Sequence, residues 1–359
     1  MVLEKERAND ILDGSLIALA KIGDVVDESG DSEFEGIIAA FLDDSSQQVA
    51  ETAAISLGIL ANEKSVPTLL DLLNDTPQGR KLTGKTNEVP YRTRAFAAYG
   101  LGMIAHRSSN QEKRQDIAES LIDILNAPPV AQRDIKVAAR TALGLCPIDS
   151  NPEAPVEESE AASHRRHVIS REAQLEFLLD YFDPANEQAN STTRHWFVRA
   201  HAPTAMARLM DGAPEAYREK VALALMEGVG KHTKEQKEIQ MSCALALGQI
   251  GDASDDGKDD IDTKIRNDLV RLVEDGEPQV RRFALIAMAQ SAGRPGEGDK
   301  GTDGTEDVKK TLLTTLARGK TQLKPWAGLA IGVMCRALDD NGQPIPDDAL
   351  KALADTAGD

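Results

Sequence analysis

The feature that most constrains this sequence is a pattern of apolar and small residues that recurs about every 40 residues. Its clearest copy runs from Ile239 to Gly251. There an apolar residue stands nine places before a central glycine, small residues stand five and two places before it, and leucine stands immediately before it. The same frame fits the chain at eight centres, which are Ala20, Gly58, Gly102, Gly144, Ala207, Gly248, Ala289 and Gly332. Offsets of three and four residues fall on one face of an α-helix, so each copy predicts a helix.

Between these helices the chain carries a second, simpler pattern, a pair of large apolar residues followed by another three or four places later. Leu121 and Ile122, followed by Leu125, are one example. We call helices with this pattern first-type helices and those with the central glycine or alanine second-type helices. Successive centres are 38, 44, 42, 63, 41, 41 and 43 residues apart. Two helices in each unit of about 40 residues are typical of a helical solenoid.

Two lines of the sequence resemble HEAT repeats, particularly the bacterial type that is similar to the bilin-lyase HEAT-like repeats. They are PQVRRFALIAMAQSAG, from Pro278, and SSQQVAETAAISLGILAN, from Ser45. The resemblance extends over nearly the whole chain and implies an all-α fold, an α-α superhelix of about seven full repeats plus terminal half-repeats. We therefore expect a single HEAT-like solenoid over residues 1–359. An aromatic content of only 4% fits a core of alanine and leucine layers.

The two ends of the chain each predict half of a repeat. Residues 2–22 predict one helix that fits the frame in its second half, and residues 347–354 predict a first-type helix with no second-type helix after it. Solenoids usually close their ends with atypical, polar caps. The chain is therefore expected to be a segment of a longer repeat array, or to have ends that pair with something; frayed natural ends are the alternative.

Five acidic insertions connect a second-type helix to the next first-type helix. They are residues 24–35, 148–163, 252–262, 293–307 and 339–348, and together they hold 23 more acidic than basic residues, against a net charge of −18 for the chain. Connections of one type emerge on one edge of a two-helix solenoid, so this edge is expected to be acidic and the body slightly basic. Segments rich in Asp, Gly and Ser are typical of solvated, mobile loops. Weak cation binding and docking of a basic partner are the alternatives.

One acidic insertion partly matches the ligand spacing of a calcium loop. Asp252, Ser254 and Asp256 stand at positions 1, 3 and 5, and Gly257 stands at position 6. The bidentate acid required at position 12 is replaced by Thr263. The spacing is therefore not diagnostic of a calcium site.

A basic residue stands eight places before the centre in five copies of the frame. In HEAT repeats such a residue typically pairs with an acid in a neighbouring turn, which is one interpretation. The other is a row of cations on the concave surface, ready for an acidic peptide or a phosphate. The candidate partner-binding residues are this basic row and two tryptophans: Arg94, Lys136, Arg199, Arg281, Lys324, Trp196 and Trp326. The net charge disfavours nucleic acid as the partner, because DNA-binding domains usually carry a basic footprint.

The fifth copy of the frame departs from the pattern, because Pro203 stands inside its predicted helix, residues 192–210. Proline removes a helical hydrogen bond and crowds the carbonyl four residues earlier, so a kink is expected. His195 and His201 lie nearby, and His164 and His167 lie upstream. A metal site is one interpretation, but no spacing is diagnostic; packed aromatic and half-buried histidine side chains are the simpler one.

The three cysteines, Cys146, Cys243 and Cys335, fall at or near core positions and are expected to be buried thiols.

No apolar run approaches the roughly 20 residues of a membrane span, so no membrane association is expected. No secretion signal begins at Met1. A cytoplasmic location is the expectation, with the N-terminus a candidate for truncation.

No catalytic motif accompanies the repeats. Deoxyhypusine hydroxylase, an enzyme of this fold, holds iron with His-Glu pairs, and none of the six histidines here precedes a glutamate. The chain also lacks a phosphate-binding glycine loop and an HExxH sequence. We therefore expect no catalytic, cofactor or metal residues and a non-enzymatic scaffold or adaptor that binds a protein partner of unknown identity in its concave groove. A lyase-like or cofactor- or metal-binding protein is the alternative.

Overall fold

A computed structural model describes residues 8–24, 30–127, 132–151, 165–185 and 195–357. Throughout these ranges the regular structure is helical and no residue forms a β-strand. The helices group into two compact units, residues 1–205 and 206–359. The prediction of an all-α chain is therefore confirmed.

Unit 1 alternates first-type and second-type helices in the predicted order. Its second-type helices are α1, α3, α6, α8 and the pair α10 and α11, and α11 continues into unit 2. In chain order the helices are α1 (Asn9–Ile22), α2 (Glu33–Ala39, continued by a 3₁₀ turn over Ala40–Asp43), α3 (Gln47–Leu60), α4 (Ser65–Leu73), α5 (Pro77–Leu82), α6 (Tyr91–Arg107), α7 (Gln111–Asn126), α8 (Arg133–Leu143), α9 (Arg171–Phe182, preceded by a 3₁₀ turn over Arg165–His167), α10 (Trp196–Arg199) and α11 (Ala202–Arg208).

Unit 2 continues the alternation, with α13, α15 and α17 as its further second-type helices. Its helices are α12 (Glu215–Gly228), α14 (Ile261–Asp275), α16 (Asp303–Arg318) and α18 (Asp347–Ala357), all first-type, and α13 (Lys237–Ile250), α15 (Pro278–Ala292) and α17 (Lys324–Asp340). The described residues therefore form seven two-helix repeats between the half-repeats α1 and α18, which confirms the HEAT-like repeat fold.

Within each unit neighbouring second-type helices pack side by side, and the first-type helices α2, α4, α7, α12, α14 and α16 each pack on the second-type helix of their own repeat. In the seven full repeats the core positions of the frame are closed to solvent: Leu57, Leu101 and Leu143, which precede three successive centres, are each 0% exposed. Leu247 is equally buried in unit 2. In the half-repeat α1 the first of the core positions, Ile11, is 52% exposed. The large side chains of the full repeats thus fill the space between layers, as the frame predicts.

Four of the central glycines lie where neighbouring second-type helices touch: Gly58, Gly102, Gly144 and Gly248. A methyl group at Gly58 would lie 2.2 Å from the Cα of Gly100, and one at Gly144 would lie 2.6 Å from the Cα of Ala205. In both pairs the centre of one repeat meets the small residue two places before the centre of the next. The frame's small positions are therefore helix-to-helix contacts, and any larger side chain there separates the helices.

Several first-type helices begin at a residue whose side chain caps the first turn. Asn110 accepts a hydrogen bond from the backbone N–H of Lys113 at 3.1 Å, and Asp260 accepts one from that of Thr263 at 2.8 Å. Ser170 caps α9 in the same way. Such caps satisfy backbone donors that have no partner inside the helix, which fixes where these helices start.

Repeat five contains the break that Pro203 predicts. The second-type helix is divided into α10 and α11, and Pro203 is the second residue of α11, a position where proline removes no helical hydrogen bond. Ala200 and His201 form the junction, in which the backbone N–H of His201 donates to the carbonyl of Val198 at 3.2 Å. The expected kink is therefore confirmed as a complete interruption of the helix. Residues 192–194 of the predicted helix and His164 lie outside the described residues.

Two helices have no counterpart among the sequence predictions. Helix α12 is the first-type helix of repeat six. In its first half single large residues alternate with Ala222 and Ala224, and its one adjacent pair of large apolar residues, Leu225 and Met226, was not recognised in the sequence.

Helix α5 lies in the connection between α4 and α6, where Thr76 accepts a hydrogen bond from the N–H of Gly79 and Pro77 occupies the first turn.

Candidate functional site

The basic row caps the ends of first-type helices. Each of its five side chains donates to a backbone carbonyl in the last turn, or just after the end, of the first-type helix in its own repeat. The pairs are Arg94 Nε with Leu73 at 2.9 Å, Lys136 Nζ with Ala127 at 2.6 Å, Arg199 Nη2 with Phe182 at 2.8 Å, Arg281 Nε with Gly276 at 2.6 Å and Lys324 Nζ with Ala317 at 3.0 Å.

This arrangement has a clear physical reason. The last carbonyls of a helix have no partner within it and carry the negative end of the helix dipole, so a cation is favourable there. Lys136 is almost completely buried, at 3% exposure, and burial lowers the pKa of its ammonium group. The sequence-based interpretation that each basic residue pairs with an acidic side chain in a neighbouring turn is therefore corrected, because these hydrogen bonds are made to backbone carbonyl oxygens. A partner-binding role for the row stays a prediction.

The acidic insertions are tied to the first-type helices by cations. In unit 2, Arg218 of α12 donates to Asp262 at 2.5 Å and lies 3.8 Å from Asp252. Arg266 of α14 pairs with Asp255 at 3.3 Å and donates to the carbonyl of Ser254 at 2.8 Å. These carboxylates therefore neutralise cations of the body.

Two of the insertions also bind each other. The N–H of Ala253 donates to the carbonyl of Arg294 at 2.9 Å, and the N–H of Gly304 donates to the carbonyl of Ala253 at 2.9 Å. Arg294 in turn donates to the carbonyls of Gly248, Gln249 and Gly251 at the end of α13. The expectation of solvated loops fails for the parts of 252–262 and 293–307 that make these bonds, because residues 40 or more positions apart complete their hydrogen bonds. Residues 256–259 and 297–300 are exposed, in agreement with that expectation.

In unit 1, too, cations near the first-type helices pair with acidic residues of the insertions. Arg114 of α7 donates to Asp149 at 2.5 Å, and Lys64 pairs with Asp31 at 2.6 Å. Asp24 accepts hydrogen bonds from the N–H of Phe34 and the hydroxyl of Ser32, which lower the pKa of its carboxyl group. Residues 25–29 and 152–163 of these insertions lie outside the described residues.

No group of three or more His, Cys, Asp or Glu side chains in the described ranges is placed to hold a metal ion. In the calcium-like insertion, Oδ1 of Asp252 accepts the backbone N–H of Ser254 at 2.8 Å. The side chain of Asp256 is exposed. The Asp252 carboxylate thus stabilises a local turn, and the Asp256 carboxylate faces solvent.

The aromatic cluster of repeat five is packed on itself. The ring of Trp196 lies 5.4 Å from that of His195 and 5.6 Å, edge to face, from that of Phe197. His195 Nδ1 accepts the backbone N–H of Phe197 at 3.2 Å and so starts α10. Trp196 keeps 37% of its surface exposed. Upstream, His167 packs on Phe177 at 5.0 Å, and burial, followed by the charge of Arg166, lowers the pKa of its imidazole to about 4.

One position of the frame was missed by sequence reasoning. The residue three places before the centre is only partly buried in every copy, although it is apolar in six of the eight. These residues are Ile17, Ile55, Tyr99, Thr141, Thr204, Leu245, Ile286 and Leu329. Leu329 is the most open, at 56% exposure. The recurrence of Ile, Leu and Tyr at a fixed offset was the available signal, but in sequence it is indistinguishable from a core position.

The position six places before the centre lies on the same side of the helix and adds aromatic side chains. Phe283 and Trp326 stack with ring centroids 6.4 Å apart, and the guanidinium carbon of Arg282 stands 5.9 Å from the centre of the Trp326 ring. In unit 1, Phe96 and Tyr99 meet edge to face at 6.4 Å. We call the partly exposed residues at these two positions of the second-type helices the docking face. Trp326 belongs to it.

No helix in the described ranges is both long and apolar enough to cross a membrane. The three cysteines form no disulfide and are buried, as expected, and burial raises the pKa of the Cys146 thiol to about 12. The Cys146 thiol donates to the carbonyl of Arg114 at 3.1 Å.

No protein-family profile matches the chain, and no curated protein matches it either. Among solved structures, the chain is similar to the complex of CpcE and CpcF of phycocyanin lyase from a Nostoc species, at 15% identity and a TM-score of 0.46, covering 92% of this chain and 98% of that one. It is also similar to an engineered protein at 19% identity and a TM-score of 0.37, covering 74% and 98%. Human deoxyhypusine hydroxylase in complex with glycerol is similar at 18% identity and a TM-score of 0.30, covering 93% and 97%.

Proposed function

We propose that this protein is a non-catalytic scaffold that binds a segment of a partner protein along its docking face. The observation that carries the proposal is the row of partly exposed apolar side chains on neighbouring second-type helices, Leu245, Ile286 and Leu329 in unit 2. Apolar surface removed from water contributes roughly 25 cal/mol per Å². A repeated apolar stripe on a chain with 28% charged residues is therefore suited to association.

The aromatic residues give the docking face its anchors. Trp and Tyr are enriched among residues that dominate binding energy, because they bury a large area at a small entropic cost. Trp326 rests on Phe283, which holds its ring in place before a partner arrives. Trp196 offers a second exposed aromatic surface in repeat five.

The basic row has a divided role in this proposal. Lys136 is buried against two carbonyls, and we assign it, with Arg94, Arg199 and Lys324, to the ends of the first-type helices. Arg281 also lines an open cleft, which the next subsection describes. Binding on the docking face therefore rests on apolar and aromatic contacts, and the row supports the helices that present them.

The test places a photo-crosslinking amino acid at Leu329 and, as the matched control, at Leu223. Leu223 lies on the first-type helix α12 of the same unit and is 44% exposed. We expect the Leu329 probe to capture one partner in stoichiometric yield from native lysate and the Leu223 probe to capture none. Equal capture at both positions would contradict the proposal.

A second measurement separates the scaffold from the lyase-like or cofactor-binding alternative. Leu329→Ser and Leu223→Ser should melt at similar temperatures, since each side chain is about half exposed, but only Leu329→Ser should lose the partner. A bound pigment or metal in the absorption spectrum of the protein purified from its native source would favour the alternative.

A further inference from the structure

Unit 2 contains a cleft in which cations converge. It consists of two adjoining chambers, about 680 Å³ and about 410 Å³ in volume, whose linings share Arg281, Lys320 and Leu323. The larger chamber lies between α14 and α16. The smaller lies between the first turn of α15 and the loop that leads into α17. We call the two chambers together the basic cleft.

The charge of the cleft opposes that of the chain. The smaller chamber is lined by Arg281, Arg282 and Lys320 and by no acidic residue. The larger adds Lys310 and Arg318, against the acids Glu274 and Asp307. Its other cation, Arg266, is engaged by Asp255 and the carbonyl of Ser254. In a chain with net charge −18, this local excess of cations is selective for an anionic ligand.

One arginine of the cleft is held in place, and a second has a donor without a partner. Arg281 donates through Nε to the carbonyl of Gly276 at 2.6 Å, and a guanidinium has further N–H donors beyond Nε. Arg282 stands over the edge of the docking face at Trp326, and its buried Nε has no hydrogen-bond partner within the protein. Side chains that are already fixed lose little entropy when a ligand binds.

The chemistry of the cleft identifies the ligand class. Guanidinium forks match carboxylates in a bidentate geometry. The two chambers together hold several residues and not a single ion, and Val270, Val273 and Leu323 add apolar lining. Glu274 and Asp307 oppose a long polyanion such as nucleic acid, which would have to pass them. A short peptide that combines carboxylates with an apolar residue fits both parts of the lining.

We infer that the basic cleft binds an acidic segment of a protein partner, with its carboxylates on Arg281, Arg282 and Lys320 and an apolar side chain beside Leu323. The inference rests on the proposed scaffold function and names the chemistry of the partner. The basic cleft lies next to the apolar docking face, and the two surfaces meet at Arg282. One partner segment can therefore use both surfaces.

The test uses a short fluorescein-labelled peptide in which pairs of glutamates alternate with leucine, titrated with the full chain by fluorescence anisotropy. Arg282→Gln with Lys320→Gln should weaken binding at least about tenfold, the scale expected for losing hydrogen bonds to charged groups. The matched control, Lys231→Gln with Lys234→Gln, removes the same charge from exposed residues of unit 2 and should change binding less than about twofold. Equal weakening by both pairs would overturn the inference.

Three further arms exclude other occupants. The same peptide with glutamine for glutamate should not bind; binding would assign the cleft to apolar contacts alone. Inorganic phosphate at millimolar concentration should not displace the peptide; displacement would make the cleft a phosphate site. In sedimentation experiments the protein should not self-associate through the cleft. If it does self-associate, and Arg282→Gln with Lys320→Gln abolishes that association, the cleft binds the acidic insertions of a second copy.

Failure here is distinguishable from failure of the scaffold function. Crosslinking through Leu329 tests the docking face and does not require the cleft. If the Leu329 probe captures a partner and the glutamate peptide does not bind, only the acidic-segment inference is lost. If neither occurs, both are overturned.

Discussion

Gly248 of α13 lies against Ala287 of α15 so closely that a methyl group on Gly248 would stand 2.4 Å from the Cα of Ala287. Ala287 is two places before the centre of its own repeat. The same relationship joins Gly58 to Gly100 and Gly102 to Ala142. One contact, repeated along the chain, therefore sets the separation of neighbouring second-type helices.

Gly248→Ala should lower the free energy of unfolding by about 1–3 kcal/mol, the usual cost of overpacking, because the added methyl group meets the backbone and Cβ of Ala287, which cannot rotate away. Gly332 is the matched control. It is the centre of α17, and a methyl group there would meet nothing within 4 Å. Gly332→Ala should leave stability unchanged or raise it by up to about 1 kcal/mol, the difference in helix propensity. Denaturant unfolding of both variants checks the prediction, which a similar loss in the two would contradict.

Arg218→Gln should destabilise the protein strongly, because it leaves Asp262, whose side chain is 5% exposed, without its cation. Removing one partner of a buried pair costs roughly 3–5 kcal/mol, and the 18% exposure of Arg218 places the expected loss near the lower end. Arg336→Gln breaks the exposed pair with Asp340 at 2.8 Å and should be nearly silent. Thermal melting should show a lower melting temperature for Arg218→Gln than for Arg336→Gln. Equal melting temperatures would mean that other contacts hold the insertion 252–262.

Lys136→Met should lower the free energy of unfolding by about 1–3 kcal/mol, since methionine keeps the buried stem but leaves the carbonyls of Leu125 and Ala127 without this donor. Arg133→Met, at an exposed position of the same helix, should change it by less than about 0.5 kcal/mol. Chemical denaturation measures both. A silent Lys136→Met variant would mean that water replaces the ammonium group at the helix end.

The stability of unit 1 should fall as the pH falls from about 6.5 towards about 4. The imidazole of His167 has an ordinary pKa of 6.5 in the unfolded chain and about 4 in the native protein. In that window the unfolded chain binds more protons, so acid favours unfolding. Unfolding free energies at pH 7 and pH 5 should differ less in His167→Gln than in the unaltered protein. His232→Gln, at an exposed position, should retain the full difference; an unchanged pH dependence in His167→Gln would contradict the prediction.

The repeat was predictable because its signal is local and occurs eight times. A glycine or alanine at a fixed offset from leucine marks a contact with the next second-type helix, and Gly58, Gly144 and Gly248 all make one. The break at Pro203 was predictable for the same reason, since proline acts on its own helix.

The site was less predictable because the residues that its side chains contact are distant in the chain or carry no signal in the sequence. Arg218 reaches Asp262 across 44 residues, so the acidic insertions looked unpaired. The acceptors of the basic row are backbone carbonyls, which every residue possesses. Leu329 resembles a core leucine in sequence, and only the packing of α17 leaves it exposed.

The buried cysteines give this protein built-in reporters of local opening. Cys146 lies in unit 1, Cys243 lies in α13 of unit 2, and Cys335 lies in α17. A thiolate is the reactive form, and each site must open before a reagent can reach it. The rate at which each thiol reacts under native conditions therefore reports the local opening free energy of its repeat. In an array where each repeat contacts mainly its neighbours, these three rates would reveal whether opening spreads along the chain or stays within one unit.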